Sequence, residues 1–288
     1  MKRLLPGFFL LLTACTQQHA IDHTQVNFEQ VDWYAKRAAL VYQSESEIRD
    51  TFPDTVLVAT SPNSDVQYFL EQDPVRHRQI ITIRGTANLR NIREDVEYIP
   101  SRNPKLGIYV HSGFDADTQQ IFHDLEPKLI KSYSTVVTGH SLGAAIATLL
   151  MMYLQEEGYQ LEPSINFGQP KVTNHAGAQK YHNLPILRVA DENDLVPMVP
   201  PRDFLDSVHG AYEHIGPELI LLSGRYYSYQ THHQVEADGV DSFWENLGEE
   251  SITAHFMQHY LHNIAAKLDQ AQAVPYDERE HYINHPSR

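Results

Sequence analysis

Apolar positions recur at helical spacing from Val31 to Tyr42, with the good helix formers Ala35, Ala38 and Ala39 among them, and predict a helix. Two runs that suit strands follow. Thr55–Thr60 (TVLVAT) and Val66–Leu70 (VQYFL) flank a Pro62-Asn63-Ser64-Asp65 turn and predict a hairpin. Gln79–Ile83 (QIITI) is β-branched and mostly apolar, as a buried central strand should be. A long helical pattern runs from about Ser112 to Lys131, with Pro127 bending or restarting it. Thr135–Thr138, Ser164–Phe167 and Ile186–Val189 read as short strands. Leu142–Gln155 and His255–Leu268 read as helices. Strands alternating with helices predict an α/β fold with a mainly parallel sheet. No internal repeat or Pro/Gly-rich linker interrupts the chain between Val31 and Asp269. One domain is therefore expected, over about 28–270, with a loose polar tail at 271–288.

The 288 residues are 42% hydrophobic and 20% charged, which suits a folded globular chain rather than a disordered one. The formal charge of −15 argues against nucleic acid as a partner, because binding its phosphates needs clustered Lys and Arg. Cys15 is the sole cysteine, so an intrachain disulfide and a Cys-rich metal site are excluded.

That cysteine sits in a patterned N-terminus. Lys2 and Arg3 precede an apolar stretch, Leu4 to Leu12, that is too short to span a bilayer. Leu12-Thr13-Ala14-Cys15 then resembles the lipobox of bacterial lipoproteins, in which the cysteine thiol takes a diacylglyceryl group. The resemblance implies that residues 1–14 are a signal peptide and 15–27 a flexible tether. It also implies a cell-envelope address, with Thr16 rather than Asp after the cysteine favouring the outer membrane. Loss of Lys2 and Arg3 would take the charge from −15 to −17. Several acyl chains, at roughly 0.8 kcal/mol per buried CH₂, would hold the chain to the membrane.

The strongest chemical signal is Gly139-His140-Ser141-Leu142-Gly143, between a strand pattern and an Ala-rich helix pattern. A serine hydroxyl is a poor nucleophile unless it is held on a tight turn, near a base and near N–H donors. The glycines let the chain turn sharply, and the helix start supplies unpaired N–H groups and a favourable dipole for an anion.

From about Val31 to Asp269 the chain resembles the class 3 (fungal-type) lipase family of α/β-hydrolases. The elbow VVTGHSLGAAIATLL carries the likeness. So do Ile83-Arg84-Gly85-Thr86, Tyr109–Phe114 (YVHSGF) and Phe167-Gly168-Gln169-Pro170. The resemblance implies an oxyanion hole made by the backbone N–H groups of Thr86 and Leu142, worth a few kcal/mol per donor to a tetrahedral intermediate. It also implies the chain order Ser, acid, His. The acid then falls in Asp191-Glu192-Asn193-Asp194-Leu195-Val196-Pro197, where the family pattern selects Asp194 and Asp191 is the rival. The candidate histidines beyond it are His209, His214, His232, His233, His255, His259 and His262. The family layout, a helix with an aromatic residue and Leu about five residues on, selects His255, with His259 and His214 as rivals.

His255, His259 and His262 fall at i, i+4 and i+7, a spacing that can chelate zinc from one helix face. The intervening residues lack the H-E-x-x-H glutamate, so no metal or other cofactor is expected. The resemblance further implies a lid at Ala87–Tyr98 (ANLRNIREDVEY), here short, amphipathic and polar. The function expected is a lipid-acting serine carboxylester hydrolase. The alternative is a non-catalytic lipid-binding or assembly lipoprotein on the same scaffold.

Overall fold

The computed structural model describes residues 26–62, 64–86, 100–200, 210–231 and 249–283. The expected signal peptide with Cys15, most of the expected tether and the lid expected at Ala87–Tyr98 lie outside these residues.

Helix α1 is Phe28–Leu40. It starts three residues before the apolar pattern does, because the Asn27 side chain caps it by accepting the Gln30 N–H at 3.0 Å. Phe28 then packs edge-on to Tyr227. Helix α2, Glu45–Thr51, carries a Ser44–Glu47 capping box. Strands β1 (Thr55–Thr60) and β2 (Gln67–Asp73) form the expected antiparallel hairpin. β2 runs past Leu70 because Glu71 is held by Arg37 of α1 through two bonds of 2.8 and 2.9 Å.

β3 (Arg78–Ile83) pairs parallel with β6 (Ser134–Gly139), and His140 bridges in parallel to Phe167 at the end of β8 (Ser164–Phe167). β10 (Ile186–Asp191) and β12 (Glu218–Leu221) continue in parallel, and β13 (Tyr226–Gln230) closes antiparallel. The centre of the sheet is parallel as expected, and the flanks are antiparallel. A small antiparallel sheet joins β4 (Pro100–Arg102), β5 (Tyr109–His111), β9 (Thr173–Asn174) and β11 (Tyr212–Glu213).

Successive side chains of a strand point to opposite faces, and the core splits accordingly. Ile81, Ile83 and Val137 meet helices α3 (Ser112–Leu125) and α4 (Leu142–Glu156) on one face. Ile80, Val136, Ile165 and Val189 meet α1 and helix α7 (Met257–Ala265) on the other. α4 is buried from Gly143 to Leu154, which is why its sequence is apolar all round.

Three elements differ from the sequence reading. α3 ends at Leu125 rather than continuing to Lys131, and Pro127 sits in a 3-10 turn, Glu126–Lys128. The closing helix is two: α6 (Glu249–His255) ends at His255, Phe256 is extended at φ −68° and ψ 138°, and α7 begins at Met257. The tail is docked rather than loose over 271–283. β14 (Gln272–Ala273) pairs with β13, Val274 is buried, and Tyr282 and Ile283 pack on Ile220 and Leu222. A polar composition hid the three or four apolar side chains that secure it.

Candidate active site

Ser141 occupies the turn between β6 and α4 with φ 57° and ψ −129°, a left-handed conformation that a side chain rarely adopts. Close packing imposes it. A Cβ on Gly139 would lie 2.5 Å from the Gly143 main chain, and one on Gly143 would lie 2.3 Å from the Ile83 carbonyl. The turn is therefore pressed against the end of β3. The Ser141 N–H donates to the Phe167 carbonyl at 2.9 Å and ties the turn to β8 as well.

The structure brings Ser141, His255 and Asp194 into one hydrogen-bonded row. Ser141 Oγ lies 2.7 Å from His255 Nε2, and His255 Nδ1 lies 2.7 Å from Asp194 Oδ2. The His255 and Asp194 side chains are fully buried. Asp194 Oδ1 accepts the Val196 N–H at 2.9 Å, so both carboxylate oxygens are engaged.

The rivals point elsewhere. Asp191 Oδ2 accepts Asn263 Nδ2 at 2.5 Å and lies 3.5 Å from His259 Nε2. That contact raises the His259 pKa above its ordinary value, against a smaller opposing effect of burial. His214 Nε2 donates to the Pro197 carbonyl at 2.7 Å. His209, His232 and His233 lie outside the described residues. The extended Phe256 takes His255 off the helix that carries His259 and His262, so the three imidazoles do not share one helix face. A cavity of about 510 Å³ opens beside Asp191 and His259 at the ends of β10 and β12, and neither Ser141 nor His255 lines it.

Thr86 follows the Gly85 turn at the end of β3, against the serine elbow. A Cβ on Gly85 would lie 2.6 Å from the His140 carbonyl and 2.9 Å from Ser141 Cβ. Leu142 is the first residue of α4, so its N–H has no acceptor within the helix. The arrangement offers a nucleophile, an oriented base and a helix start aimed at one place.

Sequence reasoning missed the surrounding polar shell. Tyr260 donates from its hydroxyl to Asp194 Oδ2 at 2.6 Å and accepts the Asp191 N–H at 3.1 Å. Burial first, and the charges of Asp194 and Asp191 next, raise its pKa far above the ordinary tyrosine value, so it stays a donor. Tyr42 and His140 touch both the Gly85 turn and the His255 main chain. Their partners lie 43 to 115 residues away along the chain, beyond the reach of any local pattern.

Comparison with known proteins adds the family context. Residues 80–204 match the family model described as lipase (class 3). The lipase of Rhizopus niveus is 28% identical over 187 residues, covering 60% of this chain and 46% of that protein. The lipase of Rhizomucor miehei is 35% identical over 137 residues, covering 43% of this chain and 38% of its own. This chain thus spans less than half the length of these two curated relatives. The solved structure of lipase II from Rhizopus niveus superposes with a TM-score of 0.63 at 25% identity, over 79% of this chain and 92% of that one. The fold is that of the α/β-hydrolases.

Proposed function

We propose that this chain is a class 3 lipase, a serine carboxylester hydrolase acting on lipid esters. The observation that carries the reading is the unbroken row from Ser141 Oγ through His255 to Asp194, with both bonds at 2.7 Å. The family match over residues 80–204 supports it.

In this reading Ser141 Oγ attacks the ester carbonyl while His255 Nε2 takes its proton. Asp194 holds the imidazole in the Nδ1–H tautomer and stabilises its charged form without accepting the proton. The N–H groups of Thr86 and Leu142 receive the oxyanion. His255 then protonates the leaving alcohol, and an acyl-Ser141 ester is left. Water, giving its proton to His255 Nε2, attacks that ester, and His255 returns the proton to Ser141 Oγ as the bond to the acyl group breaks and the fatty acid leaves. The elbow strain and the packed glycines keep the hydroxyl placed before substrate arrives.

The same reading includes a lipid anchor. Leu12-Thr13-Ala14-Cys15 supports processing before Cys15 and attachment of acyl chains to its sulfur, which would hold the domain at a bacterial envelope membrane, the outer membrane by the Thr16 criterion. An enzyme at a membrane meets lipid esters at high local concentration.

The test is turnover of p-nitrophenyl esters of graded chain length by the full chain in detergent micelles, beside Ser141→Ala. Turnover that disappears in the variant, with phosphonate labelling of Ser141 in the parent, is expected. A parent that neither turns over nor labels would instead favour a non-catalytic lipid-binding module. Cys15→Ser is expected to release the protein from membranes, and undiminished membrane retention would remove the anchor.

A further inference from the structure

Gly85, Tyr42 and His140, none of them in the Ser141–His255–Asp194 row, form a second chain of hydrogen bonds that ends on the main chain of His255. The Gly85 N–H lies 3.1 Å from the Tyr42 hydroxyl. That hydroxyl lies 2.8 Å from His140 Nδ1, and His140 Nε2 lies 2.7 Å from the His255 main-chain oxygen. His140 is buried, and its ring centroid stands 4.6 Å from that of His255. Tyr42 comes from the loop after α1, Gly85 from the end of β3, His140 from the serine elbow and His255 from the end of α6.

The two ends have fixed directions: the Gly85 N–H donates to the Tyr42 oxygen, and His140 Nε2 donates to the His255 carbonyl, which can only accept. In a neutral ring Nδ1 is then left as an acceptor, so the middle bond runs from the Tyr42 hydroxyl to His140 Nδ1. A doubly protonated ring would turn its Nδ1–H against the Tyr42 proton. It would also put a second cation beside His255 when that ring charges during the reaction. We propose that Tyr42 and a neutral, Nε2-protonated His140 are positioning residues that tie the Gly85–Thr86 turn to the main chain of the base, so that the oxyanion donor and the imidazole keep one mutual geometry. The inference rests on the ester-hydrolase reading of Ser141.

The charged and titratable neighbours are consistent with this. Tyr260 stands 6.0 Å from the His140 ring, and Arg84 acts on Tyr42 from just beyond β3. Burial first, and His255 next, lower the His140 pKa far below the ordinary histidine value. Burial raises that of Tyr42, so both keep the protonation the chain of bonds requires.

Tyr42→Phe removes the middle oxygen and little volume. Its kcat on p-nitrophenyl butyrate is expected to fall by ~10- to 100-fold with KM unchanged, since small misplacement of reacting groups costs about that much. His140→Gln keeps one acceptor and one donor and is expected to retain most of the kcat that His140→Leu loses. Long-range ¹H–¹⁵N correlation of the imidazoles in the parent is expected to report His140 as the Nε2–H tautomer throughout pH 5–9. A shared loss in the Gln and Leu variants, a Tyr42→Phe kcat within twofold of the parent, or an Nδ1–H or titrating His140 would each overturn the inference while Ser141→Ala still defines the hydrolase. A parent inactive on every ester overturns the reading itself, and the positioning role with it.

Discussion

Asp194 Oδ2 is shared: it accepts from His255 Nδ1 at 2.7 Å and from the Tyr260 hydroxyl at 2.6 Å. The carboxylate that orients the base is thus itself oriented by a phenol from α7. The same hydroxyl accepts the Asp191 N–H, so it joins the end of β10 to the loop that follows.

Tyr260→Phe deletes both bonds without opening a cavity. A hydrogen bond to a charged group is worth about 1.5–3 kcal/mol, so stability is expected to drop by about 2 kcal/mol. A urea denaturation midpoint measures this. The kcat for a short-chain ester is expected to fall with it, and unchanged kinetics would show that Val196 N–H and His255 suffice to hold Asp194.

Gly168 has φ +54°, and a Cβ there would lie 2.8 Å from His255 Cε1. The rest of the imidazole is enclosed, so it has no free direction in which to move. Gly168→Ala is therefore expected to cost ~100-fold in kcat, the scale set by a displacement of about 1 Å. Steady-state kinetics beside a thermal melt separates this from general unfolding.

Two histidines shape stability against pH with opposite signs. His140 has a lowered folded-state pKa, so below about 6.5, the reference histidine pKa, the unfolded chain takes up a proton that the fold resists. Stability is then lost as pH falls. His259 has a raised folded-state pKa through Asp191, so its contribution is complete below about 6.5 and is lost as pH rises through the folded value. Denaturant midpoints measured from pH 5 to 9 should show His140→Gln flattening the acid side and His259→Gln flattening the alkaline side. Parallel curves for parent and variants would contradict the assignments.

Arg37 and Glu71 form a buried bidentate pair between α1 and β2. Removing one partner leaves an uncompensated buried charge, so Arg37→Met is expected to cost about 3–5 kcal/mol. The double variant Arg37→Met/Glu71→Leu is expected to regain most of it. A double-mutant cycle by chemical denaturation reads the coupling.

Val274 anchors the segment after Gln270 against Ile220 and Leu222. Val274→Ala removes two buried methyl groups and is expected to cost about 1.5 kcal/mol. The outcome tests whether residues 271–283 belong to the cooperative fold, since a loose segment would tolerate the change without a shift in midpoint.

The parts legible in the sequence are those governed by neighbours a few residues apart. A β-branched, nearly continuous apolar run such as Gln79–Ile83 suits a strand between two apolar faces, and Leu142–Gln155 is long and apolar throughout, as a buried helix is. The glycines around Ser141 announced a sharp turn because a Cβ at either position would come within 2.3–2.5 Å of neighbouring main chain. Sequence could also narrow the acid and the base to a few candidates, because the family order and spacing restrict where each falls.

Tertiary packing decided the rest. Asp194 and Asp191 stand three positions apart in one short acidic stretch, so composition alone does not tell them apart. What separates them is that one oxygen reaches His255 while the other aspartate turns to Asn263 and His259, contacts spanning 61 to 72 residues. His255 and His259 divide in the same way, through one extended residue, Phe256, between two helices. His140 sits inside the serine turn and Tyr260 in the helix pattern after His255, yet nothing in either pattern, or around Tyr42, marks the long-range bonds these side chains make. A hydrogen bond depends on direction and on a few tenths of an ångström, and such precision arises only after the sheet and helices have packed.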